Sequence, residues 1–162
     1  MRNDSSKSGS RTAGPLGKLR ALEARVAGAL APYLLLLLRV VFGYGMLRAG
    51  WGKLDNLEQT AAAFAGLGIP APGLNAMVVA GLEFGGGILL LLGLLTRTTA
   101  GVLISVMVVA LATAHWGEAV QFASNPGKAI GASPVPFLVA LIALALSGPG
   151  PISLDRLIAG RE

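Results

Sequence analysis

Apolar positions along this chain come in long unbroken runs rather than in strand-like alternation. Four runs stand out, at about residues 33–51, 74–95, 98–116 and 130–147. A helix needs ~20 such residues to cross a hydrocarbon core of ~30 Å, so the pattern predicts an all-α chain, a four-helix transmembrane bundle. The Thr96-Arg97-Thr98 turn between the second and third runs is so short that these helices must be antiparallel neighbours. The fourth run reaches spanning length only if Ala129 to Ser133 join it, with Pro134 and Pro136 in the first turn of its helix, where a missing N–H does no harm.

The segments outside the runs have patterns of their own. Residues 1–17 are small and polar, with too little apolar surface to offset the entropy of ordering, and read as a disordered basic tail. Between residues 18 and 31, Leu19, Leu22, Val26 and Leu30 recur every three or four positions beside Lys18, Arg20 and Arg25. That spacing predicts an amphipathic helix on the anionic cytoplasmic leaflet. Asp55 and Glu58 have capping-box spacing ahead of Leu57, Ala61 and Phe64, so residues 55–67 are expected as a short interfacial helix, ended by Gly68 and Pro70. Arg39 interrupts the first Leu run and no A-x-A site directly follows it, so that run reads as a retained helix rather than a cleaved signal. The domain from 32 to 158 then holds all four spans.

Composition sharpens the membrane reading. Of 162 residues 54% are hydrophobic and 13% charged, against roughly one-quarter charged in a soluble domain. Six basic and two acidic residues precede position 32, so four of the five net positive charges lie before the first run. Together with Arg97, Arg156 and Arg161, they place both termini in the cytoplasm, with the chain multi-pass in the membrane. Sparse basic residues without interleaved aromatics argue against nucleic acid as a partner. There is no Cys and a single His, which removes disulfides, Cys-ligated metals and bis-His haem, and no metal site is expected. No Gly-x-Ser-x-Gly or phosphate-loop motif occurs either. Any redox cofactor would have to come from a partner subunit.

Chemistry within the spans is confined to few residues. Arg39 and Glu83 are charges inside apolar runs, where each costs roughly 2.5 to 3.5 kcal/mol unless it faces the bundle interior. Counting rise per residue places them close enough to pair. The pair is either structural or a site for a quinone head group, a proton or a small solute. Gly85, Gly86 and Gly87 follow Glu83, and Gly43 follows Arg39 by one turn, which suits close helix packing. Trp51, Lys53 and His115 gather at the outer ends of two spans, as interfacial anchors or as the rim of a site, where His115 adds a group able to titrate near neutrality.

In order and spacing, LLRVVFGYGMLRAGWGKL, FAGLGIPAPG, GLEFGGGILLLLGLLTR and SGPGPISLD resemble the DoxX family of small bacterial membrane proteins, over about Leu34 to Leu157. The resemblance implies a four-helix integral membrane protein whose relatives are associated with thiosulfate:quinone oxidoreductase and with thiol-stress oxidoreductase complexes. Arg39, Trp51, Lys53, Glu83, Gly86, Gly87, Arg97 and Asp155 fall on its recurrent polar or glycine positions. The sequence departs at Ala49, where many relatives have a His. The expected function is a membrane subunit of a quinone-linked oxidoreductase acting with a cofactor-bearing partner. A non-enzymatic scaffold and a solute or proton pathway are the alternatives, and the oligomeric state is left open.

Overall fold

The computed structural model describes residues 15–121, 124–132 and 134–160, which form eight helices joined by turns, with no strand among the described residues. They are α1 (Pro15–Asp55), α2 (Leu57–Gly66), α3 (Pro72–Leu92), α4 (Thr96–Thr113), α5 (Trp116–Ala119), α6 (Pro126–Gly131), α7 (Pro134–Ser147) and α8 (Leu154–Ala159). Of the expected tail, residues 1–14 lie outside the described residues, and Pro15 to Gly17 belong to α1. The chain divides into one unit ending at Ala31 and another beginning at Pro32. In the first, Leu19, Leu22, Val26 and Leu30 are all exposed.

Three helices, α1, α3 and α4, are long and apolar enough to cross a membrane. At 14 residues, α7 reaches only about 21 Å. It stops short because α6 ends at Gly131 and Ala132 bends, so the residues expected to lengthen it form a separate turn of helix. Ser133 lies outside the described residues. A second difference concerns Asp55, which is the last residue of α1 rather than a helix cap. Asn56 precedes α2 instead and makes no capping bond with its side chain. Helix α2 buries no residue. The chain leaves it through Gly68 at φ +73° and enters α3 at Pro72.

Within the second unit, α4 packs on both α3 and α7, and α2 packs on α3. The core is formed by Met46, Leu90, Leu103, Met107, Leu141 and Leu144, with Phe42 edge-on to Phe137 at 5.3 Å. Leu37, Val40, Tyr44, Met77, Val78, Val102, Val109, Val139 and Leu146 are exposed around it. Water would not tolerate apolar surface this extensive, whereas lipid tails match it. Burial against lipid gains little, so close packing and internal hydrogen bonds must hold such helices together.

Glycines supply the close packing and set the register. A Cβ on Gly43 would lie 3.2 Å from the Gly87 carbonyl oxygen, and one on Gly50 would fall 2.7 Å from Phe84 Cα. Helices α1 and α3 therefore run antiparallel, with Gly43 level with Gly87 and Gly50 level with Phe84. Gly86 faces the Leu103 side chain on α4, while Gly85 has open space around it and does not take part in the packing expected of it.

The hydrogen bonds concentrate at the end of the bundle where α3 stops. Arg39 is 2% exposed, and its guanidinium donates to the carbonyls of Leu90 (3.0 Å), Leu91 (3.2 Å), Pro149 (2.9 Å) and Ile152 (2.6 Å). Two of these acceptors belong to the last turn of α3, where a cation is favoured, and the Leu90 carbonyl also accepts the Gly93 N–H. The other two are presented by the turn after α7, in which Gly148 and Gly150 adopt φ of +81° and +74°. Asp155 completes the knot. Its carboxylate accepts the N–H groups of Leu95 (2.7 Å) and Thr96 (3.0 Å), and its own N–H donates to Gly93.

Burial opposes the charge on Asp155, but the Thr96 and Leu95 N–H groups and the nearby Arg39 outweigh it and hold the carboxyl below the usual carboxylate range. Stability from this group is thus fully present above the unfolded-state pKa of ~3.9 and is lost as pH falls through the lower folded value. Asp155→Asn is expected to lower the melting temperature at neutral pH and to flatten its fall below about pH 4. Melting in detergent across that range, by intrinsic fluorescence, checks both. An unchanged acid limb would contradict the assignment.

Candidate functional site

Toward the other end of the bundle the helices part around a cavity of about 420 Å³. Its walls come from residues at helical spacing, with Met46, Ala49 and Lys53 on α1, Asn75, Val79 and Glu83 on α3, and Val106, Ala110 and Thr113 on α4. Phe64 of α2 and Phe137 of α7 close the remaining sides. The space exists because Ala49 and Ala110 carry small side chains where three helices converge. Ala49 is the position at which the resembling sequences often place a His, so the departure from that pattern falls on the cavity wall.

The lining is apolar apart from a few groups. Glu83 is 3% exposed and pairs with the ammonium of Lys53, whose side chain keeps 29% of its surface. Lys53 has three N–H donors, and those not held by Glu83 are free to meet another acceptor. Asn75 donates to the Pro70 carbonyl at 2.6 Å, which ties the connector to the start of α3. His115 stands at the cavity mouth with Nδ1 3.9 Å from a Glu118 carboxylate oxygen. Among the described residues, no three His, Asp or Glu side chains are placed to hold a metal ion.

Arg39 and Glu83, expected to pair, instead find different partners. The register set by Gly43 and Gly87 puts Arg39 level with about Leu91, eight residues and about 12 Å from Glu83 along the bundle. Lys53 sits beyond Glu83 on the other side and reaches back to it with its long apolar stem. Of the outer residues singled out in the sequence, Lys53 and His115 line the cavity, whereas Trp51 is exposed with its ring 5.7 Å from Phe84. Asn75, Ala49 and Ala110 were not foreseen as lining. Asn75 shows as the one amide near the start of its run, but an alanine carries no signal of a cavity until its neighbours are known.

Chemically, this is a pocket within the range of small-molecule sites, largely apolar in its walls and bearing one half-buried ion pair. It suits a flat amphipathic ligand, with a polar head at Lys53 and Glu83 and its remainder along the walls.

The family model described as DoxX matches residues 34–116. The inner membrane protein YqjF of Escherichia coli K12 is 33% identical over 129 residues, covering 76% of this chain and 90% of that protein. The inner membrane protein YphA of the same organism is 33% identical over 135 residues, covering 80% of this chain and 93% of that protein. No solved structure matches the chain significantly.

Proposed function

The chain belongs to the DoxX family, and on that premise we propose that it is an integral membrane subunit of a quinone-linked oxidoreductase, holding the quinone in the cavity beside Lys53 and Glu83. The observation that carries this reading is the ion pair between the buried Glu83 and the partly exposed Lys53, set in a largely apolar cavity. Lys53 offers donors to a quinone carbonyl oxygen, and the pairing with Glu83 aims the ammonium. The ring and tail lie against Met46, Val79, Met107 and Phe137. Electrons come from the cofactor of a partner subunit, since the chain has no Cys and one His. The quinone supplies the redox chemistry, and the residues of this chain bind and orient it.

In the same reading α7 serves as a fourth, short span, α2 lies in the outer interface, and both termini are cytoplasmic in an inner membrane. Arg97 and Arg156 then sit at the cytoplasmic end near Arg39, and Lys53, Asp55, Glu58 and Glu118 sit at the outer end, which agrees with the positive-inside bias.

Titration of the purified protein in nanodiscs with decylubiquinone tests the proposal. Glu83→Gln is expected to weaken binding at least tenfold, about 1.4 kcal/mol, and Ala110→Phe to abolish it by filling the cavity. The Lys53→Met, Glu83→Gln double variant removes both charges together and should keep the helical circular dichroism of the native protein. Binding unchanged in both single variants contradicts the proposal. Proton or solute flux in liposomes that requires Glu83, without quinone binding, would assign the cavity to transport instead.

A further inference from the structure

His115 lines two spaces at once. One is the apolar cavity already described, and the other is an open polar depression on its outer side, bordered by Gly117, Glu118, Gln121 and Lys128. It is the only His in the chain, it occupies the turn between α4 and α5, and its side chain is about one-third exposed. Other titratable groups lie on either side of this junction. Lys53 from α1 and Glu83 from α3 share the cavity with it, while Glu118 from α5 and Lys128 from α6 share the depression. The cavity residues of α4 before His115, and those of α7, are uncharged.

Of the titratable groups that line the cavity, Lys53, Glu83 and His115, His115 alone also borders the outer depression, so it joins a quinone bound in the cavity to protons from that side. An imidazole both gives and takes a proton near neutral pH and has two nitrogens on opposite sides of its ring. We propose that His115 is the proton-transfer group of this site, passing protons from the outer depression to the quinone in the cavity; the inference rests on the quinone reading above. Reduction to the quinol takes two electrons, delivered by a reduced flavin of the partner subunit, which is thereby oxidised, and two protons. For each proton, an N–H bond of the His115 imidazolium breaks as an O–H bond forms on a quinone oxygen. The neutral imidazole then takes a replacement from water in the depression, where a Glu118 carboxylate oxygen stands 3.9 Å from Nδ1.

The test is voltammetry of the full-length protein in a nanodisc film loaded with decylubiquinone, where the electrode supplies the electrons and the rate of quinone reduction is read against pH. Native protein should slow as pH rises through the range in which imidazole loses its proton. His115→Gln should reduce the rate at least tenfold and flatten that profile. In His115→Ala, added imidazole should restore much of the rate, because the depression is open to solvent. Native rates and a native profile in His115→Gln protein that still holds its quinone would overturn this inference alone. Native protein that binds no quinone would overturn the function proposed above, and the inference with it.

Discussion

Arg39→Met is expected to abolish accumulation of the folded protein, or to lower its stability by about 3–5 kcal/mol where it can be measured. The substitution keeps the apolar stem and removes the fork of donors, so the carbonyls of Leu91, Pro149 and Ile152 lose the guanidinium and that of Leu90 keeps only the Gly93 N–H. Each lost bond involved a charged donor, and each orphaned carbonyl is poorly placed to find water. Arg39→Lys should fail nearly as badly, since one ammonium cannot reach two helix carbonyls and two turn carbonyls at once. Detergent size-exclusion profiles and melting curves report both variants. Arg39→Gln combined with Glu83→Gln adds a sharper result. The two side chains have separate partners, so their effects should sum to within about 0.5 kcal/mol. Rescue of either single variant by the other would restore the direct pairing that the register rules out.

Gly87→Val should be of similar severity for a different reason. A Cβ at Gly87 falls 2.8 Å from both the Gly43 carbonyl oxygen and Leu47 Cα, so backbone meets backbone and no flexible side chain can yield. Overpacking of this sort costs at least about 1–3 kcal/mol, and in a bundle held by close approach it also separates Arg39 from α3. Gly85→Ala provides the contrast. It has open space around it and sits in a helix interior, where Ala is favoured over Gly by about 1 kcal/mol, so its melting temperature should stay level or rise. Equal loss in both variants would mean that the glycines act through backbone flexibility rather than through contact.

These two cases also separate what is local in the sequence from what packing decides. Run length and polarity are local properties, so the apolar stretches of α1, α3 and α4 were legible in the sequence, as was the burial of Arg39 and Glu83, which follows from the cost of a charge in oil. That residues 18–31 continue through Pro32 into the first span as one helix was not legible, nor that Thr96 to Thr98 open α4 while Gly93 to Leu95 make the turn. Partner choice was not legible either. It depends on how far α1 slides along α3, and that is fixed by Gly43, Gly50 and Gly87 meeting backbone, a three-dimensional fact with no signature beyond the presence of the glycines. The acceptors of Arg39 are carbonyls, to which any residue type contributes, so SGPGPISLD revealed its glycines but not the two oxygens it turns inward. Asp55 had the spacing of a helix cap, yet α1 continued through it, because helix propagation outweighs one capping bond. The cavity depends on what is missing at Ala49 and Ala110.

The central claim is that the space around Lys53 and Glu83 is a quinone site while Arg39 serves the fold. Photolabelling with an azido-quinone, followed by peptide mapping, tests it most directly. The label should fall on residues 105–115 of α4 and its exit, or on the Phe64 to Ile69 connector, and should be competed by decylubiquinone. Label confined to α8 and the Gly148 to Ile152 turn, or spread evenly over the lipid-facing surface, would contradict the account.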